Sequence, residues 1–309
     1  MWYVIVPTLN AQKEWPVFIP ALLACAPPQR VLIVDSASSD STAELAREAG
    51  FGVRSISRAE FNHGGTRQLA AELLPDAEIL IYITQDAILA DPTALQSLLR
   101  AFEDPQVAAA YGRQMPRKDS RPIEAHARLF NYPVHSDLRS LDSREKLGIR
   151  AIFLSNSFAA YRRSALLAAG GFSTGVIFGE DTIAAARLLL AGHKIAYVSE
   201  AAVYHSHSYT VLQEFKRYFD IGVLHSREVW LLDTFGRATG EGKRFVISEL
   251  RHLKEAAPWL IPSAVIRTVA KFTGYQLGRF EAHLPLAIKR RLSMHEHFWK
   301  PKSNRDCMS

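Results

Sequence analysis

Residues 79–90, Ile-Leu-Ile-Tyr-Ile-Thr-Gln-Asp-Ala-Ile-Leu-Ala, constrain the fold of this chain more than any other stretch. Five consecutive apolar residues, three of them Ile, form a strand with no polar face to offer water. Such a strand is buried on both sides, as in a parallel sheet covered by helices. It runs directly into Thr84, Gln85 and Asp86. In open α/β sheets, ligands bind in the crevice beyond the carboxyl ends of the strands. A carboxylate held there beside an amide can meet a cation and a phosphate, or it can simply cap the turn.

The flanking chain repeats the pattern. Short β-rich runs at 2–6, 30–34, 53–56 and 107–111 alternate with helical segments. Helices are expected over 15–25, from the Ser41-Thr42-Ala43-Glu44 capping box to Gly50, from His63 to Pro75, and from Asp91-Pro92 to 102. This alternation predicts βαβ units and an α/β fold with a mainly parallel sheet flanked by helices. Over 114–150 the pattern loosens, with Pro116, Pro122 and Pro133 among many charges, and short helices with a mobile loop are expected. A strand over 152–161, helices over 163–169 and 182–191, and strands over 194–198 and 202–205 follow. Beyond 209 the chain reads as helical and amphipathic, so residues 1–225 are expected to form the main domain and 226–309 a basic helical extension.

The two cysteines, Cys25 and Cys307, belong to no metal-type pair and suit a reducing compartment. No basic n-region or cleavage site marks the N-terminus as a signal peptide, and no apolar run is long enough to span a bilayer. A cytoplasmic protein is expected. The net charge of +6 is uneven: from Arg237 onward there are 14 Lys+Arg against 6 Asp+Glu, leaving a net −2 on the first 236 residues. A basic tail on a mildly acidic body suggests an anionic partner.

Two strand ends bring Asp35 and Asp86 to one sheet edge. Between them in sequence, Arg67 opens a helix behind Gly64-Gly65, where backbone, helix N-terminus and guanidinium could all meet an anion. Together these suggest a nucleoside diphosphate, with Asp35 on base or ribose, Arg67 on phosphate and Asp86 on Mg²⁺ or Mn²⁺. His205 and His207 share a face at another strand end, and one of the two imidazoles could complete a metal site opposite Asp86. Glu180-Asp181 follows a glycine-containing loop and could supply a general base at the substrate edge or merely cap the helix.

The ordered set Pro7-Thr8-Leu9-Asn10, 34–42, Gly65-Thr66-Arg67-Gln68, Gln85-Asp86-Ala87, Gly170-Gly171-Phe172 and Gly179-Glu180-Asp181 resembles family 2 glycosyltransferases of the GT-A fold. Within it, 61–67, Gln85-Asp86-Ala87 and Tyr204-His205-Ser206-His207 are most similar to bacterial rhamnosyltransferases of surface-polysaccharide assembly. The resemblance spans roughly residues 2–225. It implies an inverting transfer from a nucleotide sugar, with dTDP-L-rhamnose favoured, to a glycan or lipid-linked acceptor. A UDP- or GDP-sugar donor is the alternative. The roles it implies are donor contacts at Pro7, Thr8, Asn10, Asp35, Arg67 and Gln85, a metal contact at Asp86, the base at Asp181, and acceptor-side positions at Gly171, Phe172 and Glu180. Thr84 stands where the Asp-x-Asp metal motif usually has its first aspartate, which implies a weaker metal site, one that depends more on the histidines, or a mechanism that relies little on metal.

A sugar nucleotidyltransferase would place its glycine loop after the first strand, where this chain has Pro7-Thr8-Leu9-Asn10. A non-catalytic binding module would have no use for a base at Asp181. For the basic C-terminal region the expectation is peripheral contact with an anionic membrane face; packing on the catalytic domain or on a second subunit is the alternative. Nucleic acid is not expected as a partner.

Overall fold

The computed structural model describes residues 1–237 and 240–299. The part of the C-terminal expectation that concerns 300–309, including Lys300 and Cys307, lies outside the described residues.

The chain begins with β1 (Trp2–Thr8), α1 (Trp15–Leu23), β2 (Val31–Asp35), α2 (Thr42–Glu48), β3 (Gly52–Ser55), α3 (His63–Leu73), β4 (Ile79–Ile83) and the two-residue β5 (Ile88–Leu89). It continues through α4 (Ala94–Arg100), β6 (Val107–Met115), α5 (Pro122–Asn131), β7 (Asp137–Arg139), α6 (Ser143–Leu147), β8 (Phe158–Arg162), α7 (Arg163–Ala168), α8 (Glu180–Leu190) and β9 (Lys194–Tyr204). Five helices close the chain: α9 (Val211–Arg227), α10 (Val229–Phe235), α11 (Glu241–Ala256), α12 (Ile261–Arg279) and α13 (Leu286–Leu292).

The sheet runs β3-β2-β1-β4-β8-β6-β9-β5, with β7 also on β9. Side-chain alternation divides each central strand between two cores. Val4 and Val6 of β1 and Ile79, Ile81 and Ile83 of β4 face Trp15, Phe18, Leu22 and Leu95 of α1 and α4. Ile5, Leu80 and Tyr82 face the other way, toward Ala70, Leu166, Ile183 and Leu188 of α3, α7 and α8. All five residues of β4 are buried, as a central strand between helical layers requires.

Parallel pairing holds over β3-β2-β1-β4 and between β6 and β9. β8 runs antiparallel to both β4 and β6, so it starts at the edge where they end. Part of the segment expected as a strand over 152–161 is a 3₁₀ turn (Gly148–Ile152) and a connection, burial there coming from packing and not from the sheet. The two strands expected at 194–205 are one, β9, whose register slips where Gly112 opposite Val198 gives way to Arg113 opposite Ala202. The loose stretch 114–150 holds α5, β7 and α6. The capping box at Ser41 does not form; the Asp40 carboxylate instead accepts from the Thr42 backbone N–H at 3.1 Å.

The boundary expected at 225 falls inside α9. α9 and α12 meet backbone to backbone: a Cβ on Gly278 would lie 2.0 Å from the Phe219 carbonyl oxygen, and one on Gly274 2.3 Å from that of Phe215. α11 packs on α5, with the Phe245 ring against His126 and Phe130.

Candidate active site

Because β1, β2, β4, β6 and β9 all run one way, their carboxyl ends share an edge, and antiparallel β8 delivers its leading residues to the same place. This brings together Thr8, Asp35, Asp86, Gln114, Asn156 and His205.

Asp86, His205 and His207 each offer one ligand atom, all within 4.8 Å of one another. His205 Nε2 lies 3.3 Å and His207 Nδ1 3.6 Å from the same Asp86 oxygen. The His205 ring is held from behind: Gln114 Oε1 lies 2.8 Å from its Nδ1 and 2.6 Å from Arg128 Nη1. A guanidinium only donates, so the Gln114 atom it meets is the oxygen; an amide oxygen only accepts, so Nδ1 carries the proton. Nε2 therefore turns a lone pair toward a carboxylate. Burial keeps His205 below the ordinary imidazole pKa despite the pull of Asp86, and burial together with the nearby His205 pushes His207 down to about 4. Burial alone would raise Asp86, but at the low pH where it titrates both histidines are protonated, and the hydrogen bond and charge of His205, with the charge of His207, hold its carboxyl well below the usual range. At neutral pH two acceptors thus confront each other, which a divalent cation among the three resolves. Orientation of a ligating imidazole by a partner on its second nitrogen is the ordinary arrangement at metal sites. The residues fit a metal.

The opposite wall is the start of α8. Gly179 takes φ 80° at its N-cap, a left-handed turn that glycine tolerates, and Asp181 follows in the first turn. Its carboxylate accepts from the Asn156 backbone N–H at 3.2 Å and from that of Thr182 at 2.8 Å. Burial, then the charge of Glu180, pushes its pKa up to about 6. The side chain remains partly exposed. The carboxylate is ionised at neutral pH yet keeps appreciable proton affinity, as a general base requires. Asn156 and Ser157 tie the two walls together, since Thr84 N–H donates to the Ser157 carbonyl at 3.2 Å, two residues before Asp86.

Several expected site residues face elsewhere. Arg67 is buried, 3.1 Å from Glu180 and donating to the His63 carbonyl at 2.9 Å, so its guanidinium is engaged inside and not turned to a diphosphate. Glu180 is likewise withdrawn from any acceptor: burial would raise its pKa, but Arg67, His63 and a 3.1 Å hydrogen bond from Asn156 Nδ2 keep it low and ionised. Phe172 is a core residue, its ring 5.2 Å from both Tyr82 and Tyr161, and Gly171 turns at φ 63° against Gln68. Gly64 serves close packing, because a Cβ there would lie 1.9 Å from the Ser173 carbonyl oxygen.

The loops after β1 and β2 are locked together. Thr8 and Asp35 are buried register partners. Asp35 accepts from Ser38 N–H at 3.0 Å, and Asn10, at φ 51°, accepts from Ser39 N–H at 2.9 Å. Gln85 spends both ends of its amide on the backbone of Leu9, at 2.8 and 3.2 Å, so it holds the loop that follows Pro7 and Thr8. A cavity of about 360 Å³ is lined by Lys13, Ile88, Arg117 and Tyr204 among others, and Arg117 links it to the metal cluster by donating to the Asp86 carbonyl. Gln114, Arg117, Arg128 and Asn156 were not expected from sequence. Gln114 lies just past the run read as a strand, and Asn156 falls inside the segment 152–161 that reads as one continuous strand.

The family model described as glycosyltransferase like family 2 matches residues 2–219. The chain belongs to that family. It is 46% identical over 297 residues, 96% of this chain and 95% of the other, to the O-antigen chain rhamnosyltransferase RfbN of Salmonella typhimurium. It is 45% identical to the O-antigen chain rhamnosyltransferase WbaN of Salmonella anatum, over 96% and 94% of the two chains. Among solved structures, a Pyrobaculum calidifontis mannosyltransferase in complex with GDP-Man and Mn²⁺ superposes with a TM-score of 0.56 at 20% identity, over 96% of this chain and 84% of that one. S. aureus TarS superposes at 0.51 with 14% identity, over 91% and 90%. The fold is the GT-A glycosyltransferase fold, and the protein is a glycosyltransferase.

Proposed function

We propose that the protein transfers L-rhamnose from dTDP-L-rhamnose, with inversion, to a hydroxyl of a lipid-linked oligosaccharide in O-antigen assembly. The observation that carries this reading is identity of 45–46% along nearly the whole chain to two O-antigen chain rhamnosyltransferases. Pro7, Thr8, Asn10 and Asp35 form the cradle for the nucleoside. Asp86, His205 and His207 would hold the cation; two nitrogen donors would favour Mn²⁺ over Mg²⁺, which prefers an all-oxygen shell. When bound, that cation stabilises negative charge on the departing diphosphate. Arg117, beside Asp86, takes the cationic role expected of Arg67. Asp181 accepts the proton of the attacking hydroxyl, and Asn156 with the buried Arg67–Glu180 pair holds it in place. The protein works in the cytoplasm, at the inner face of the membrane that carries its acceptor; residues 1–225 form the catalytic unit and the helices after it the membrane-facing one.

A transfer assay across dTDP-, UDP- and GDP-sugars, with the anomeric configuration of the product read by NMR, tests this. Turnover confined to dTDP-L-rhamnose with inversion is expected. Turnover of only a UDP- or GDP-sugar, or retention of configuration, refutes it.

A further inference from the structure

We infer that the outward face of α12, with the basic residues around it, is a docking surface for an anionic phospholipid bilayer. The inference deepens the membrane-face reading above and rests on it for its purpose. α12 buries Ala264, Arg267, Gly274 and Gly278, the glycines in backbone contact with α9, and that contact fixes which side faces out. On the opposite side, at helical spacing, stand Val265, Ile266, Val269 at 59% exposure and Phe272 at 64%, with Trp259 at 74% just before the helix and Phe280 at 61% just after it. A helix bounded by water carries polar residues there. Among the described residues no helix is long and apolar enough to cross a membrane, so the stripe suits an interfacial helix and not a span.

The surroundings are cationic. Arg279 shares the outward face of α12, seven residues from Phe272; Arg251 and Lys254 are exposed on α11 against one exposed acid beside them, Glu255, and Arg290 and Arg291 are exposed on α13. This choice of charge selects the occupant. A second copy docked about a two-fold axis would set the same patch against itself and bring these cations together. Residues 300–309, Lys-Pro-Lys-Ser-Asn-Arg-Asp-Cys-Met-Ser, have a single large apolar side chain, Met308, and carry three cations against one acid. An anionic bilayer satisfies both the apolar stripe and the basic rim, and the aromatic rings suit its interface.

The same helix reaches the catalytic arm from its other side. Arg267 donates to the Tyr209 carbonyl at 2.8 Å and pairs with Glu214 at 3.2 Å, and the Tyr209 ring packs on His207 with centroids 5.2 Å apart. Lipid-bound α12 would thus seat the metal-binding arm about one helix diameter, roughly 10–12 Å, from the bilayer surface.

Co-sedimentation of the full chain with phosphatidylglycerol-containing vesicles, against pure phosphatidylcholine, tests the surface. Binding only to the anionic vesicles, weakened by salt, is expected. Val269→Ser with Phe272→Ser lowers it by roughly tenfold or more, and Arg251→Gln and Arg279→Gln by about fivefold each, while circular dichroism and turnover of donor in free solution stay unchanged. Equal binding to neutral vesicles, or variants that bind like the parent, overturns the inference. So does a dimer in vesicle-free sedimentation velocity that Val269→Ser with Phe272→Ser abolishes. A parent chain that binds the anionic vesicles but turns over no dTDP-L-rhamnose would instead sink the donor assignment and leave the surface standing.

Discussion

Replacing Gln114 by Leu tests whether the histidine at the metal cluster is locked from behind. Gln114 Oε1 keeps the His205 proton on Nδ1. Without that acceptor the imidazole is free to carry its proton on Nε2, 3.3 Å from the Asp86 carboxylate. A hydrogen bond to a charged acceptor contributes about 1.5–3 kcal/mol. A cation would have to break it before reaching the lone pair, so the same energy is subtracted from metal binding. That corresponds to a loss of roughly 10- to 100-fold, the size seen when the outer partner of a metal-bound histidine is removed. Mn²⁺ titration of the full chain without donor, followed by electron paramagnetic resonance of the free ion near neutral pH, measures it directly. Gln114→Glu keeps an acceptor for both His205 and Arg128 and should retain the affinity. A Leu variant that binds Mn²⁺ like the parent, while His205→Ala does not, refutes the reasoning; so does a Glu variant as weak as the Leu one.

Asp181→Asn should leave nucleotide-sugar binding intact by calorimetry and cut turnover by about 10²-fold or more. Since the base works only when ionised and its pKa is pushed up to about 6, wild-type transfer should rise as pH climbs through that value and level off above it; a flat profile from pH 5 to 8 would count against Asp181. Arg67→Met strips the buried Glu180 of its cation and should cost about 3–5 kcal/mol in urea unfolding, whereas a diphosphate contact would weaken donor binding with stability unchanged. Gly278→Val forces apart two helices in backbone contact and should lower the unfolding free energy by about 1–3 kcal/mol or more, read as a lower urea midpoint.

The strand-and-helix alternation, the crevice at Asp35 and Asp86, and the ends of α8 and β9 were legible in the chain because they rest on local rules: alternation, apolar runs and punctuation by Gly and Pro. The pair Asp86 and Asp181 and the two histidines could be named from their positions at element ends. What sequence could not decide is where a side chain points once two elements meet. Arg67 and Glu180 are 113 residues apart, and only the packing of α3 on α8 turns them toward each other and away from substrate. Phe172 reads as a loop residue until Tyr82 and Tyr161 close around it. Gln114 and Asn156 become site residues only through the sheet, because a parallel β6 and an antiparallel β8 bring opposite ends of their strands to one edge. Local pattern sets the period of each element and so which faces are apolar. Strand direction, register and helix contact are non-local, and they alone decide which polar side chains are left facing the crevice.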